Sequence, residues 1–346
     1  MMIRNVTIYG LFETFDYNIC FGPEPLTFVH SPNGYGKSTL MRLLSSVLKG
    51  DAEETASVPF SRLDIGFDDD TTLILENGRD GLTIQMQKTE LEQILDPSEV
   101  AEILNVVYIS SERLTVRKKD GRLVPALESY ASELADRIRL AADHSELLPV
   151  PKEGRKEYGD DELVFWCKNL KAKLDFLNEA GFEPEMPAGY RFPPSRYEVA
   201  EYREDYTELA FSLSEYVDRN YTLAESIVVY KDIVNGLLVN KSLFIEDAKM
   251  EVRMDSGISL PLGRLSAGEK QVMIMFYCLL FHASPGSLAI IDEPEISMHV
   301  SWQHRIGDIL TDISRLRGVQ MIVATQSPQV IHDRWDQARE LRVESA

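Results

Sequence analysis

The chain has 346 residues, a formal net charge of −20 and a sequence pI of about 4.8. A surface this acidic repels nucleic acid. DNA or RNA is therefore expected only in a local contact or through a partner. Three cysteines without C-x-x-C spacing argue against a disulfide framework or a zinc site, and the longest apolar stretch, Val272–Phe281, is too short to span a bilayer; we therefore expect a soluble, cytoplasmic protein without a membrane contact.

The first part of the chain is predicted to be rich in strands, since short apolar runs alternate with turn signals. A helix is predicted over Ser38–Lys49, with Gly50 as its C-cap. Asn77-Gly78 is a hairpin signal between two antiparallel strands. The predicted strands cover residues 6–11, 18–21, 26–30, 63–67, 72–75, 82–86 and 106–109. A basic run, for which a solvated loop is the favoured interpretation, consists of Arg113, Arg117, Lys118, Lys119 and Arg122.

From residue 125 to 241 the pattern becomes helical, with apolar residues at three- and four-residue spacing. The helical segments are Ala126–Leu148, Asp161–Ala180 and Ser195–Lys241, and prolines separate them. We predict short helices that form a compact lobe, because prolines break a continuous heptad coiled coil.

The last part of the chain alternates strand, helix and strand, over Leu288–Ile291, Ser301–Ile313 and Val319–Ala324. This alternation is typical of a mostly parallel sheet. The predicted fold is therefore an α/β domain built from residues 1–124 and 242–346, with N-terminal antiparallel strands and with residues 125–241 inserted as a helical lobe.

A glycine-rich loop lies between the predicted strand at 26–30 and the following helix. Ser31–Thr39 matches G-x-x-x-x-G-K-[ST] except that Ser31 replaces the first glycine. Gly34 and Gly36 let the backbone present N–H groups to phosphate oxygens, and the start of the helix attracts the anion. Lys37 is expected to reach the β- and γ-phosphates, and Ser38 to bind Mg²⁺.

Two carboxylates follow the buried strand Leu288–Ile291. Ligands in open α/β sheets bind at the carboxyl ends of the strands, so both acids are expected beside the phosphate loop. Asp292 can hold Mg²⁺ and Glu293 can polarise an attacking water. Alone, an apolar run that ends in Asp-Glu is a weak signal, and it gains weight from the phosphate loop.

A third motif, Leu265–Gln271, precedes an apolar helix. Ser266 and Glu269 form an S-x-x-E capping box, which is typical of any well-capped core helix. The same helix start also offers N–H groups, a hydroxyl and an uncluttered Gly268 to an anion.

Together, Ser31–Thr39, Leu265–Gln271 and Ile290–Pro294 resemble the Walker A, signature and Walker B motifs of ABC-type ATPases. The resemblance implies a P-loop ATPase head that uses ATP and Mg²⁺ and forms a homodimer around two ATP molecules, with the signature of one subunit acting on the ATP of the other. It implies that the catalytic residues are Glu293, Lys37 and Gln326, that the metal is held by Ser38 and Asp292, and that the nucleotide is bound by Asn33, Gly34, Gly36, Lys37, Ser38, Thr39, Ser266, Gly268 and Glu269.

The run Asp292–His299 looks like the SMC-related ATPases of prokaryotic defence systems, which include the OLD-type, Septu and retron-associated proteins. Tyr108–Arg113 is similar to the segment near the nucleotide in those proteins, and Glu112 and Arg113 are both candidates for the Q-loop role. Gln326 stands where the family usually has histidine. Glutamine can donate a hydrogen bond but cannot become a cation, so hydrolysis is expected to be slow or partner-dependent.

The leading functional hypothesis is an ATPase that controls a partner effector in trans, such as a nuclease, in anti-phage defence. A DNA-repair or chromosome-maintenance ATPase of the SMC type is the alternative, although the net charge counts against it. The nucleotide-binding subunit of a transporter and an assembly scaffold that barely hydrolyses ATP are further alternatives.

Overall fold

The computed structural model describes residues 1–78, 81–89, 91–118, 120–143 and 145–342, so Lys119 of the basic run lies outside the described residues. In chain order the strands are β1 Ile3–Leu11, β2 Phe15–Cys20, β3 Leu26–His30, β4 Arg62–Phe67, β5 Thr71–Gly78, β6 Gly81–Lys88, β7 Leu91–Ile94, β8 Val106–Ile109, β9 Thr115–Arg117, β10 Leu123–Pro125, β11 Lys241–Glu246, β12 Lys249–Met254, β13 Ser259–Leu260, β14 Leu288–Asp292, β15 Gln320–Thr325 and β16 Ala338–Glu340. The α-helices are α1 Lys37–Leu48, α2 Ala52–Ser57, α3 Pro97–Val100, α4 Ala126–Asp143, α5 Asp160–Glu179, α6 Arg196–Glu201, α7 Arg203–Leu237, α8 Ala267–Tyr277, α9 Val300–Arg317 and α10 Pro328–Ile331.

The chain divides into two compact units, one formed by Met1–Ala126 with Ser266–Ala346 and the other by Leu127–Leu265. The sequence prediction put residues 242–265 with the first unit, whereas this division puts them with the second. The reason is local, because the side-chain amide of Asn235 on α7 both donates to the carbonyl oxygen and accepts from the N–H of Leu243 on β11. These two hydrogen bonds tie the β11–β13 sheet to the helices.

A parallel sheet with the strand order β16-β3-β15-β14-β8 forms the centre of the first unit. Every residue of β14 and β15 is buried, which explains their nearly continuous apolar sequence. Helix α1 follows β3 directly and buries Leu40, Leu44 and Val47 against this sheet and its antiparallel neighbour. The carboxyl ends of β3, β14 and β15 lie at one edge, as the predicted α/β fold requires.

An antiparallel sheet with the order β2-β1-β4-β5-β6-β7 completes the first unit. The side-chain amide of Gln320, at the start of β15, donates to the carbonyl oxygen of Ile3 and accepts from its N–H, both at 2.8 Å. The predicted antiparallel strands are confirmed, but Asn77 and Gly78 are paired strand residues, contrary to the expected turn. Asn77 and Gly78 belong to β5 and pair with Leu82 and Gly81 of β6.

The second unit is built on the packing of α5 against α7. Helix α5 buries a stripe with helical spacing, formed by Leu163, Cys167, Leu170, Leu174 and Leu177. The prediction of short helices is wrong for α7, which has 35 residues and is therefore about 50 Å long. No proline interrupts it, since the prolines of the insert precede residue 195. In the described parts of the chain, no helix is both long and apolar enough to span a bilayer.

Candidate functional site

The glycine-rich loop joins β3 to α1 as predicted. Gly34 has φ 87° and Gly36 has φ 74°, a left-handed conformation that glycine adopts without steric cost. Gly36 is the N-cap of α1, and its carbonyl oxygen accepts the first helical hydrogen bond, from Leu40 at 2.8 Å. Asn33 is exposed and Thr39 is half-buried. The loop and the start of α1 thus form an open turn of backbone N–H groups suited to an anion.

Lys37 is buried beneath this loop, where the ammonium group donates to the loop itself. Its Nζ lies 2.8 Å from the carbonyl oxygen of Ser31, 3.2 Å from Ser31 Oγ and 3.4 Å from the carbonyl oxygen of Pro32. Burial lowers the pKa of Lys37, while Glu293 and other nearby carboxylates oppose that shift. The serine that replaces the first glycine of the motif therefore supplies an additional acceptor for the lysine.

The phosphate loop and the acidic strand end meet at Ser38 and Asp292. Ser38 Oγ donates to Asp292 Oδ1 at 3.0 Å, although 254 residues separate the two along the chain. Burial, together with the nearby negative charges of Glu293 and Glu295, raises the pKa of Asp292 to about 6, although the hydrogen bond from Ser38 opposes the shift. Ser38 and Asp292 therefore offer two hard oxygen ligands to a divalent cation. Such a cation would also relieve the repulsion among the neighbouring carboxylates.

Glu293 and Gln326 lie side by side at the ends of β14 and β15. Glu293 adopts the left-handed region with φ 45°, and its N–H donates to the carbonyl oxygen of Ala324 at 2.8 Å. The side-chain amide of Gln326 donates to Glu293 Oε1. The two residues predicted to act on water and on the γ-phosphate are therefore neighbours, although their catalytic roles stay predictions.

The predicted capping box is present at the start of α8. Ser266 Oγ accepts from the N–H of Glu269 at 3.3 Å, and Glu269 Oε2 accepts from the N–H of Ser266 at 2.9 Å. Gly268 is buried, contrary to the uncluttered position expected from the sequence. A Cβ there would lie 2.2 Å from the carbonyl oxygen of Ser297, so the close passage of the 297–298 backbone requires this glycine.

Arg113 does not belong to a solvated basic loop. Its side chain is 5% exposed and donates to the carbonyl oxygens of Ser110, Asp292 and Pro294 at 3.1, 3.3 and 3.1 Å. Burial lowers the pKa of Arg113 to about 10, so the guanidinium stays charged at neutral pH. Arg113 thus holds the turn that carries Glu293, whereas Glu112 is exposed. No local sequence pattern predicts these contacts, because Asp292 and Pro294 lie 179 and 181 positions from Arg113 along the chain.

Aromatic rings beside the phosphate loop were missed by the sequence prediction. Phe12 is 43% exposed and lies 3.6 Å from where a Cβ of Gly36 would be. Phe15 stacks on Tyr35 with ring centroids 6.2 Å apart. Tyr17 donates its hydroxyl to the carbonyl oxygen of Tyr35 at 2.8 Å, and burial raises the pKa of Tyr17 to about 12. These contacts hold the tip of the loop next to an exposed aromatic surface.

Comparison with solved structures identifies the fold. The Smc head domain of Pyrococcus furiosus, solved with an extended coiled coil and bound to the C-terminal domain of ScpA, matches with a TM-score of 0.51 and 15% identity over 99% of this chain and 94% of that one. A second structure, the SmcHead bound to the C-winged helix domain of ScpA, gives 0.50 and 15% identity over 96% and 91%. At this identity the likeness shows the fold alone, an SMC-head-like ATPase domain.

Comparison by sequence identifies the family. No curated protein matches the chain. Residues 77–332, which make up most of the chain, match the domain family described as "AAA domain, putative AbiEii toxin, Type IV TA system". The chain is therefore a member of this AAA-domain family.

Proposed function

We propose that the chain binds and hydrolyses ATP, and that it does so as a dimer with ATP between its subunits. The observation that carries this proposal is the 3.0 Å hydrogen bond between Ser38 of the phosphate loop and Asp292 at the end of β14. It brings together, from distant parts of the sequence, the hydroxyl and the carboxylate that P-loop ATPases use at their metal.

The phosphates would lie over the backbone N–H groups of the loop, where Lys37 is in reach. Mg²⁺ would be held by Ser38 and Asp292, and when bound it would neutralise charge on the β- and γ-phosphates. Among the described residues no cluster of three or more His, Cys, Asp or Glu side chains forms a metal site. The remaining ligands would therefore be phosphate oxygens and water, as is usual for Mg²⁺ in nucleotide sites.

Hydrolysis requires a group that polarises the attacking water, and Glu293 is the carboxylate best placed for it. Its neighbour Gln326 can donate a hydrogen bond to Glu293 or to a phosphate oxygen but cannot accept the proton. The proton from water would therefore pass to Glu293, and Gln326 would orient the carboxylate. A neutral amide in place of a histidine supports slow intrinsic turnover.

The nucleobase would stack on the exposed ring of Phe12. This ring lies at the tip of the β1–β2 hairpin beside Gly36. Every nucleobase presents a π-face, so stacking would contribute affinity and little selectivity among bases.

In the dimer, the start of α8 would face the ATP of the second subunit. Ser266 Oγ accepts the hydrogen bond of its own capping box, so its O–H remains able to donate to a phosphate oxygen. Gly268 would contribute through its main chain, because its Cα faces Ser297 of the same subunit.

The dimer would control a partner effector, of which a nuclease is the leading candidate, within a defence system of the OLD, Septu or retron-associated kind. The family description names a toxin and a toxin–antitoxin system, which supports a two-component arrangement. An SMC-type role in chromosome maintenance is the second candidate, and the fold likeness to Smc heads favours it. The net charge of −20 counts against direct binding of duplex DNA by most of the surface.

The decisive experiment compares wild-type protein with Glu293→Gln, with and without ATP and Mg²⁺. Molecular mass and ATP turnover are measured for both, and Glu24→Gln, an exposed carboxylate between β2 and β3, serves as the matched control. Glu293→Gln should bind ATP, lose turnover and remain dimeric, because glutamine keeps the shape of the carboxylate but cannot take a proton.

Wild type and Glu24→Gln should hydrolyse ATP and return to monomer as it is consumed. The trapped Glu293→Gln dimer then serves as bait for the effector. A wild-type protein with no turnover and a mass independent of ATP would overturn the proposed function.

A further inference from the structure

A second carboxylate, Glu295, organises the end of β15. Its Oε1 accepts three hydrogen bonds, from Thr325 Oγ1 at 2.7 Å, from the N–H of Gln326 at 2.8 Å and from the N–H of Ser327 at 3.1 Å. Hydrogen bonds to an ionised acceptor are about twice as strong as neutral ones. One oxygen atom therefore fixes the backbone on both sides of the Gln326 α-carbon.

The path of the chain after β14 explains how Glu295 reaches β15. Glu293 takes the left-handed conformation and Pro294 follows it, so the backbone turns back toward the neighbouring strand. Arg113 binds the carbonyl oxygens of Asp292 and Pro294, one on each side of Glu293. The turn that carries Glu293 is held by a buried cation, and the turn that carries Gln326 is held by a carboxylate.

Arg113 and Glu295 carry opposite charges, and each has one side-chain atom without a hydrogen bond in the described part of the chain. Arg113 Nε and Glu295 Oε2 are both buried, and neither has a hydrogen-bond partner among the described residues. A buried charge is costly without a compensating one. Glu295 attracts Arg113, which accounts for the tolerance of a charged arginine beneath the strand ends.

We propose that Glu295 is a positioning residue for hydrolysis, which holds the backbone of Gln326 so that its side-chain amide meets Glu293. Glu295 itself bonds to β15 and the turn after it, and it acts on the reaction only through Gln326. This inference rests on the proposed ATPase function. It predicts that loss of Glu295 slows the chemical step and leaves ATP binding nearly unchanged.

The competing explanation is that Glu295 only stabilises the fold. A double-mutant cycle separates the two, because residues that act through one another give non-additive effects. Steady-state kcat and KM for ATP, and the midpoint of urea unfolding, are measured for Glu295→Ala, Gln326→Ala and the double variant. Glu295→Gln, which keeps an acceptor oxygen of the same reach, is added in case Glu295→Ala does not fold.

A matched control accounts for loss of stability. Thr55→Val removes the buried hydrogen bond from Thr55 Oγ1 to Ser46 Oγ, which joins α2 to α1 away from the strand ends. It should lower the unfolding midpoint and leave kcat unchanged.

We expect Glu295→Ala to lower kcat about tenfold or more, with KM within about twofold of wild type. The double variant should have the kcat of Gln326→Ala, while the stability losses persist. Glu295→Gln should recover part of kcat. Effects on kcat that multiply, a rise in KM alone, or no effect of Gln326→Ala on kcat would each overturn the inference. Absence of turnover in the wild type would instead overturn the proposed function and this inference with it.

Discussion

Replacement of Ser31 by alanine should tighten nucleotide binding while it destabilises the free protein. Ser31 Oγ lies 3.2 Å from Lys37 Nζ, and both side chains are buried. A buried hydrogen bond to a charged group contributes about 1.5–3 kcal/mol, and the long distance favours the lower end of that range. The carbonyl oxygens of Ser31 and Pro32 still hold the ammonium group in the variant.

The gain in affinity follows from where Lys37 goes. In the proposed function the ammonium group turns to the β- and γ-phosphates and gives up the Ser31 hydroxyl. Wild-type protein must break that hydrogen bond to bind ATP, whereas Ser31→Ala has none to break. If the bond contributes about 1.5 kcal/mol, the lower end of that range, the dissociation constant should fall by up to about tenfold.

The assay combines two equilibrium measurements. Calorimetric titration with a non-hydrolysable ATP analogue gives the dissociation constant, and urea unfolding gives the stability of the free protein. Ser57→Ala, which removes an exposed hydroxyl bonded to the carbonyl oxygen of Glu54, is the control and should change neither. If Ser31→Ala loses stability without tighter binding, Lys37 keeps its contact with Ser31 in the bound state and the reasoning fails.

Gly268→Ala should lower the free energy of unfolding by about 1–3 kcal/mol in urea, because the new Cβ must move the Ser297 carbonyl from 2.2 Å and this outweighs the better helix propensity of alanine. Phe12→Ala should raise KM for ATP about five- to 150-fold with little change in kcat, since base stacking contributes about 1–3 kcal/mol. The Mg²⁺ concentration that half-activates ATP turnover should rise about tenfold for each pH unit below about 6, because protonation of Asp292 competes with the metal.

Each of these predictions has a control variant or a result that would contradict it. Gly159→Ala adds a Cβ that meets no atom closer than 3.7 Å, and as the N-cap of α5 it should cost at most about 1 kcal/mol. A more stable Gly268→Ala would show that Ser297 yields freely. Phe165→Ala removes an exposed ring from the second unit and should leave KM unchanged. The sign for Asp292 follows from its raised pKa, since the metal-free carboxyl is protonated below about pH 6 and must release that proton to bind Mg²⁺. Equal Mg²⁺ requirements at pH 5 and pH 7 would contradict it.

The sequence was most informative where function is local. The strand, loop and helix around Lys37 follow from glycine spacing and apolar periodicity over a few residues, and so does the buried strand that ends at Asp292. The capping box of α8 could also be predicted from the sequence, because Ser266 and Glu269 are three positions apart.

Contacts between segments that are distant along the chain could not be predicted from local sequence patterns. Glu295 meets Thr325 only because Glu293 takes a left-handed turn, and no propensity predicts that conformation for glutamate. Arg113 looked like part of an exposed basic run, since its burial depends on carbonyl oxygens supplied by β14 and the turn after it. Gly268 looked open to a ligand, although the passing backbone at Ser297 explains the glycine.

The strand order of the parallel sheet has a consequence for synthesis of the protein. The central strands β15 and β14 lie between β3 and β8, yet they are made much later, because β3 ends at residue 30 and β8 at residue 109, whereas β14 begins at residue 288 and β15 at residue 320. Until residues 288–325 have left the ribosome, β3 and β8 lack the strands that pair with them. The phosphate loop also lacks Asp292 until then. We expect nascent chains shorter than this to depend on chaperones and to be unable to assemble the Ser38–Asp292 site, because such long-range pairing forms late and slowly.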